Sequence, residues 1–246
     1  MNSPFSLAGK TILVTGASSG IGRGVAVACA RMGANVIITA RNLVRLQETL
    51  AAMPGNGHTI IVADLTDNLQ RQQLVEQLPA LDGLVHCAGV GSRVPCKNIE
   101  QSDIDYVMQP NFMAPVLLQT DLLSAKKITK SASIVFIASR AAEMPSVGNA
   151  VYSASKGAII SYAKCLALEL APRKVRVNCI CPAMVWTDLA LTGASREQLE
   201  EAEQRYPLKR YGQPEDVAYL AVYMLSDVSA WMTGSCVDIT GGAKEL

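Results

Sequence analysis

Short runs dense in apolar, β-branched residues recur along the chain, and longer stretches with helical spacing separate them. The runs fall at 11–15, 35–40, 59–63, 82–86, 133–138, 175–180 and 236–239. Most are nearly continuous in Val, Ile and Leu instead of alternating apolar and polar. That is the pattern of strands covered on both faces, as in a parallel sheet. Between them the spacing predicts helices ending near Met32, over 43–53 and 68–78, over 104–125 with breaks at Pro110 and Pro115, and from Tyr152 through Leu170 to Pro172. Pro214-Glu215-Asp216 opens one more, with a proline and two acids in its first turn. Strand and helix in alternation imply right-handed crossovers and an α/β fold, with residues 1–246 as one domain.

Composition narrows the functional classes. Half of the 246 residues are hydrophobic and 17% are charged, which suits a buried sheet and argues against disorder. Twenty-two basic and 21 acidic residues leave a net charge of +1, and no basic block points to nucleic acid or an anionic membrane. No apolar run reaches the ~18 residues of a membrane helix, and Met1 to Phe5 has no signal-peptide pattern. The seven scattered cysteines read as reduced thiols of a cytoplasmic protein. Cys179-x-Cys181 has neither a second cysteine pair nor enough histidines to complete a metal set, so no metal is expected.

Three features carry chemistry. The first run leads into Gly16-Ala17-Ser18-Ser19-Gly20-Ile21-Gly22 and then a helix. Strand, glycine turn and helix N-terminus in that order make a site for a pyrophosphate, because the backbone can approach closely and the first N–H groups of a helix are unpaired. The same glycines would also serve an ordinary βα turn. Arg41 follows the second run, where an acidic residue would suit a ribose 2′-hydroxyl and an arginine suits a 2′-phosphate. Tyr152-Ser153-Ala154-Ser155-Lys156 places a phenol and an ammonium four residues apart, on one face of a helix. An ammonium there stabilises the ionised phenol and makes the tyrosine usable as an acid or base. Ser139 stands at the end of the fifth run, and Asn111 sits at the proline break. His86 closes an apolar run and reads as a satisfied core or loop histidine sooner than as a catalytic base. The charged stretch 187–210 reads either as a lid over a site or as a plain surface helix. Arg173 and Lys174 are open to two readings, solvated charges or contacts for an acidic carrier protein.

In that order the chain resembles the short-chain dehydrogenase/reductase family over nearly its whole length. Thr15-Gly16-Ala17-Ser18-Ser19-Gly20-Ile21-Gly22 is similar to the family's Thr-Gly-x-x-x-Gly-Ile-Gly, and Asn111, Ser139, Tyr152 and Lys156 fall where the family has its catalytic tetrad. Pro207 to Ala218 and Thr240-Gly241-Gly242 are similar to stretches of 3-oxoacyl-[acyl-carrier-protein] reductases. The resemblance implies a Rossmann-type, doubly wound sheet of seven parallel strands in the order 3-2-1-4-5-6-7, and a homotetramer. It implies NADP(H) as the preferred cofactor, with NAD(H) still admissible. Gly16, Ser18, Ser19, Gly20, Ile21 and Gly22 would cradle the pyrophosphate. Arg41 would meet the 2′-phosphate, Asp64 and Leu65 the adenine, and Ala88 and Gly89 the ribose. Pro182, Val185 and Thr187 would hold the nicotinamide. There are three departures from the family: His86-Cys87 for Asn-Asn, Ala183 for glycine, and Pro110 directly before Asn111.

The activity so implied is interconversion of a small carbonyl compound and a secondary alcohol, with an acyl-carrier protein admissible as carrier of the substrate. Tyr152 would be acid in reduction and base in oxidation. Lys156 would support it and bind the cofactor ribose, Ser139 would hold the substrate oxygen, and Asn111 would keep a water that feeds protons to Lys156. A cofactor-binding regulator or inactive subunit is the alternative, and turnover across a broad substrate panel separates the two. Enoyl reduction is a third reading, for which relatives usually space the tyrosine and lysine farther apart.

Overall fold

The computed structural model describes residues 3–192 and 195–243. Seven parallel strands form one sheet: β1 (Thr11–Thr15), β2 (Asn35–Ala40), β3 (Thr59–Val62), β4 (Leu81–His86), β5 (Ile128–Ile137), β6 (Arg176–Pro182) and β7 (Cys236–Ile239). Their order is β3-β2-β1-β4-β5-β6-β7, as the family resemblance implied. The order reverses between β1 and β4, and the crevice opens beyond the C-terminal ends of those two strands.

Successive strand residues supply two separate cores. Leu13, Ile37, Leu84, Ile134 and Val177 face one layer, built from α3 (Asn68–Gln77), α5 (Ala114–Ser124) and α6 (Ala150–Leu170). Ile12, Val14, Ile38, Val85 and Val135 face the other, built from α1 (Gly20–Arg31), α2 (Leu43–Ala52) and α8 (Pro214–Leu225). Local chemistry fixes the helix starts. Asn42 accepts a hydrogen bond from Arg45 N–H at the head of α2, and Asp67 accepts one from Gln70 N–H at the head of α3. Gln213 and Asp216 make a reciprocal cap at Pro214.

The structure changes two boundaries. β5 begins five residues before the apolar run. Its first part is polar (Thr129, Lys130, Ser131), and it departs from regular pairing where Ser131 has φ 64° and the β4–β5 register shifts. Polar residues at an irregular strand start carry no apolar signal. The expected helix at 104–125 is three pieces: α4 (Gln101–Met108), a π-helical turn (Gln109–Met113), and α5. Pro110 and Pro115 have no N–H for an α-helical ladder, and the extra residue of the π turn absorbs the break.

Helix α6 is fastened to β5 at both ends. Lys156 Nζ donates to Ile137 O at 2.9 Å, and the Arg173 guanidinium donates to Ile128 O. These carbonyls belong to the last and first residues of β5. Arg173 therefore uses one of its N–H groups as a structural donor and is not a purely solvated charge.

Candidate active site

The ends of β1 and β4 are tied together by one side chain. Thr15 Oγ1 accepts from Cys87 N–H at 3.1 Å and Ala88 N–H at 3.2 Å. This draws Ala88 against the turn after β1. Gly16 has φ +63°, and a Cβ there would lie 2.7 Å from the Ala88 Cα and N atoms. Only glycine fits that approach. Ser19 stands at the N-terminus of α1 without capping it through its side chain. The first N–H groups of the 12-residue helix are left to the crevice.

A cleft of about 700 Å³ follows from this arrangement. It is lined by Gly16, Ser18, Ser19, Gly20, Ile21 and Gly22 at the turn, Arg41, Asp64 and Leu65 at one end, and Ala88, Gly89 and Thr187 toward the other. Pro182 and Val185 are not among its lining residues; Pro182 ends β6, paired with Ile239, and Val185 bridges to Gly212. Arg41 is largely exposed, with Nη1 3.9 Å from Asp64 Oδ2. Burial pushes the Asp64 carboxyl up. Hydrogen bonds from the Thr66 hydroxyl and N–H, with the Arg41 charge, outweigh that and hold it below the ordinary carboxylate range.

The four tetrad positions lie beside the cleft, and none is among its lining residues. Lys156 is 7% exposed, and its Nζ sits 5.8 Å from the centroid of the half-buried Tyr152 ring. The same Nζ would be 3.6 Å from a Cβ on Gly89, and Asn111 Oδ1 would be 2.9 Å from it. The absence of a side chain at Gly89 is what lets the cleft wall meet the lysine and the asparagine. Ser139 is buried, and its Oγ accepts from Ala141 N–H at 3.1 Å. Asn111 keeps its place despite Pro110. It accepts from Val90 N–H at 2.7 Å, donates to Val90 O at 2.9 Å, and donates to Ser155 Oγ at 3.1 Å. Ser155 in turn donates to Tyr152 O at 2.7 Å. Ser155, inside the Tyr-x-x-x-Lys motif, thus ties Asn111 to the tyrosine's own turn, a link with no sequence signal.

Residues 187–189 cross the cleft. Thr187 packs on Gly20, whose Cβ would be 3.0 Å from Thr187 Cγ2. Asp188 pairs with Arg45 of α2 at 2.8 Å. Leu189 packs on Gly91, 3.1 Å from a Cβ there. Beyond them α7 (Arg196–Glu203) seats on a small core of Leu199, Tyr206 and Tyr211. Glu203 accepts from Trp186 Nε1–H at 2.8 Å and Tyr211 N–H at 3.2 Å. Of the stretch 187–210, residues 193 and 194 lie outside the described residues.

His86 is buried but only half satisfied. It stacks on Phe136 at 4.4 Å, and Nε2 is 3.5 Å from Gln119 Oε1. Nδ1 has no hydrogen-bond partner among the described residues. Burial pushes the imidazole down to about 4, and the Gln119 contact opposes this only in part. A folded value below the ordinary 6.5 means that stability is complete above about pH 6.5 and is lost as pH falls toward about 4. At about 1.4 kcal/mol per unit, this loss is on the order of 2–3 kcal/mol by about pH 4.5. Urea melts at pH 7 and 4.5 should show His86→Asn losing that much less than the natural protein. Equal losses would refute the assignment.

The described residues contain no cluster suited to a metal ion and no helix long and apolar enough to cross a membrane.

Comparison with known proteins adds the following. Residues 16–244 match a family model described as enoyl-(acyl carrier protein) reductase. The chain is 33% identical over 238 residues to the 3-oxoacyl-[acyl-carrier-protein] reductase FabG of Rickettsia conorii, covering 97% of this chain and 98% of that protein. It is 35% identical over 242 residues to dehydrogenase/reductase SDR family member 6 of Rattus norvegicus, covering 96% and 98%. Among solved structures, one described as an NAD(P)-dependent gluconate 5-dehydrogenase from Beutenbergia cavernae, with NADP bound at low occupancy, superposes with a TM-score of 0.88. It is 34% identical and covers 98% of each chain.

Proposed function

The chain belongs to the short-chain dehydrogenase/reductase family, and on that premise we propose that it is an NADP(H)-dependent enzyme of the cytoplasm that interconverts a carbonyl compound and a secondary alcohol. The observation that carries this reading is the Lys156 ammonium, 5.8 Å from the Tyr152 ring and reaching the cleft wall at Gly89. A proton donor supported by a cation, beside a dinucleotide-sized cleft, suits carbonyl reduction.

The residues fit the cofactor. The Gly16 turn packs against Ala88 too closely for any Cβ, α1 offers uncapped N–H groups, and Arg41 holds an exposed guanidinium at the adenosine end. When bound, the nicotinamide supplies or accepts the hydride. The chain's own groups handle the proton and the oxygen. Ser139 Oγ already accepts from Ala141 N–H, so its O–H is left to donate to the substrate oxygen. Tyr152 O–H gives its proton to that oxygen in reduction and takes it back in oxidation. Lys156 places a positive charge where the phenolate would form. The Asn111 amide is spent on Val90 and Ser155, so its backbone carbonyl is the group left for a water leading to Lys156. Pro115, four residues on, has no N–H to offer that carbonyl.

A spectrophotometric screen of ketones, oxoacyl thioesters and alcohols with NADPH and NADH tests the reading. Oxidation of NADPH by some carbonyl is expected, with kcat/KM roughly tenfold higher than for NADH. Arg41→Asp should reverse the preference, since a carboxylate repels the 2′-phosphate and suits the free hydroxyl. Equal kcat/KM for both cofactors in the natural protein would refute the role of Arg41. Silence across the panel would favour a cofactor-binding protein without turnover. A carrier-protein thioester is one substrate form for the screen, as the name of the Rickettsia relative suggests. Exposed Met113 and Leu117 near α5 and Leu168 on α6 suit burial between subunits of a homotetramer, and a monomeric mass in solution would exclude it.

A further inference from the structure

The rim of the site beside Tyr152 is made by segments that the proton chemistry does not use. The loop after β4 docks on the loop before α6, where Val94 N–H donates to Gly148 O at 2.8 Å. A Cβ on Gly148 would lie 3.8 Å from the Arg93 backbone, and Gly148 is four residues from Tyr152. Arg93 also acts on the base of the α7 segment. Burial and Glu203 push the Tyr211 phenol up, and the Arg205 charge and, after it, the Arg93 charge oppose them. Arg93 therefore stands on the loop that docks beside the helix carrying Tyr152, with its charge felt at the floor of the α7 segment.

Its charge is unspent. Arg93 is exposed and has no ion pair or hydrogen bond among the described residues. Apart from Arg31, every other arginine has one. The carboxylates around this rim are already engaged: Glu203 with Trp186 and Tyr211, and Glu143 with Arg140 at 2.6 Å. The same rim is apolar. Val147 is 94% exposed, Leu189 43% and Leu191 45%, while Met184 and Trp186 pack against the Leu199, Tyr206 and Tyr211 core. Apolar side chains left in water around a cleft mark a surface that a ligand covers.

We infer that the substrate is a carbonyl compound with an apolar body and one oxyanion, a carboxylate or a phosphate, and that Arg93 binds the oxyanion while the apolar rim covers the body. A guanidinium presents paired N–H donors that match either group. The inference rests on the carbonyl-reductase reading above. Because the contact lies away from the reacting oxygen, it is made alike in ground and transition states, and it governs KM and not kcat.

Matched pairs test it. The first pair is 3-oxooctanoate and its methyl ester. The second is the 3-oxooctanoyl thioester of coenzyme A and that of N-acetylcysteamine, which lacks the phosphates. Each is assayed with the natural protein, Arg93→Gln and Arg93→Lys. A charged hydrogen bond is worth about 1.5–3 kcal/mol, so Arg93→Gln should raise KM for the anionic member about 10- to 100-fold. The kcat should stay within about twofold, the neutral member should be unaffected, and Arg93→Lys should recover part of the loss. An effect confined to the acid identifies a carboxylate, and one confined to the coenzyme A thioester identifies a phosphate. Equal KM within both pairs, or an equal rise for charged and neutral members in Arg93→Gln, overturns the inference. Calorimetry of 3-hydroxyoctanoate and its methyl ester, and of the two matching 3-hydroxyoctanoyl thioesters, on the NADPH-loaded protein separates the two claims. If no compound turns over but Arg93-dependent binding of an anionic member persists, the proposed reaction falls and the oxyanion site stands. If charged and neutral members bind equally within both pairs, the oxyanion site falls.

Discussion

Tyr152→Phe is expected to lower kcat/KM for carbonyl reduction by at least the 10²- to 10⁴-fold typical of a lost general acid. NADPH affinity should stay within a few-fold of the natural protein. The ring is retained, so its packing near Lys156 Nζ survives, and Lys156 keeps its bond to Ile137 O. Tyr152 is not among the residues lining the cleft, so the dinucleotide site keeps its walls. Stopped-flow reduction and a fluorescence titration with NADPH measure the two quantities. Activity above about a tenth of the natural value, with any carbonyl of the panel, would remove Tyr152 from the proton-transfer role. A parallel loss of NADPH binding would instead mean that the substitution had damaged the site.

Gly16→Ala should have the opposite signature, with cofactor binding failing first. The left-handed backbone at φ +63° costs a non-glycine residue roughly 1–2 kcal/mol. The added Cβ meets Ala88 backbone atoms at 2.7 Å and the Cys87 carbonyl carbon at 3.0 Å. Those atoms cannot easily retreat, because Thr15 Oγ1 holds both amides. The turn must therefore move, and with it the start of α1. We expect the NADPH Kd to rise by about 30-fold and the Tm to fall by several degrees, as about 2 kcal/mol would give in a chain of this size. Unchanged Kd in this variant would show that the turn is not the pyrophosphate cradle.

The seven strands and their parallel pairing were legible because strands buried on both faces write themselves as unbroken apolar runs, whereas their order came only from the family resemblance. The Tyr152–Lys156 pair was legible because its partners are one helical turn apart. Interactions that join distant segments left no comparable trace. Arg45 and Asp188 meet across the cleft from 143 residues apart, and neither has a pattern around it. The polar beginning of β5 and the π turn at Pro110 were hidden for a related reason, since irregular backbone has no period. His86 looked like a contented core residue from its apolar neighbours, and only the geometry reveals the bare Nδ1.

The double fastening of α6 to β5 has a consequence for how such a protein can change. Clipped at Ile128 and Ile137, the helix is a strut of fixed length, with Tyr152 near one end and Ser139 two residues past the nearer clip. Both clips lie outside the loops at 91–95 and 143–148 and outside the segment around α7. The parts that hold the proton are thus mechanically insulated from the parts that choose the guest. Those loops can be exchanged, in evolution or at the bench, while the acid and the hydroxyl keep their spacing.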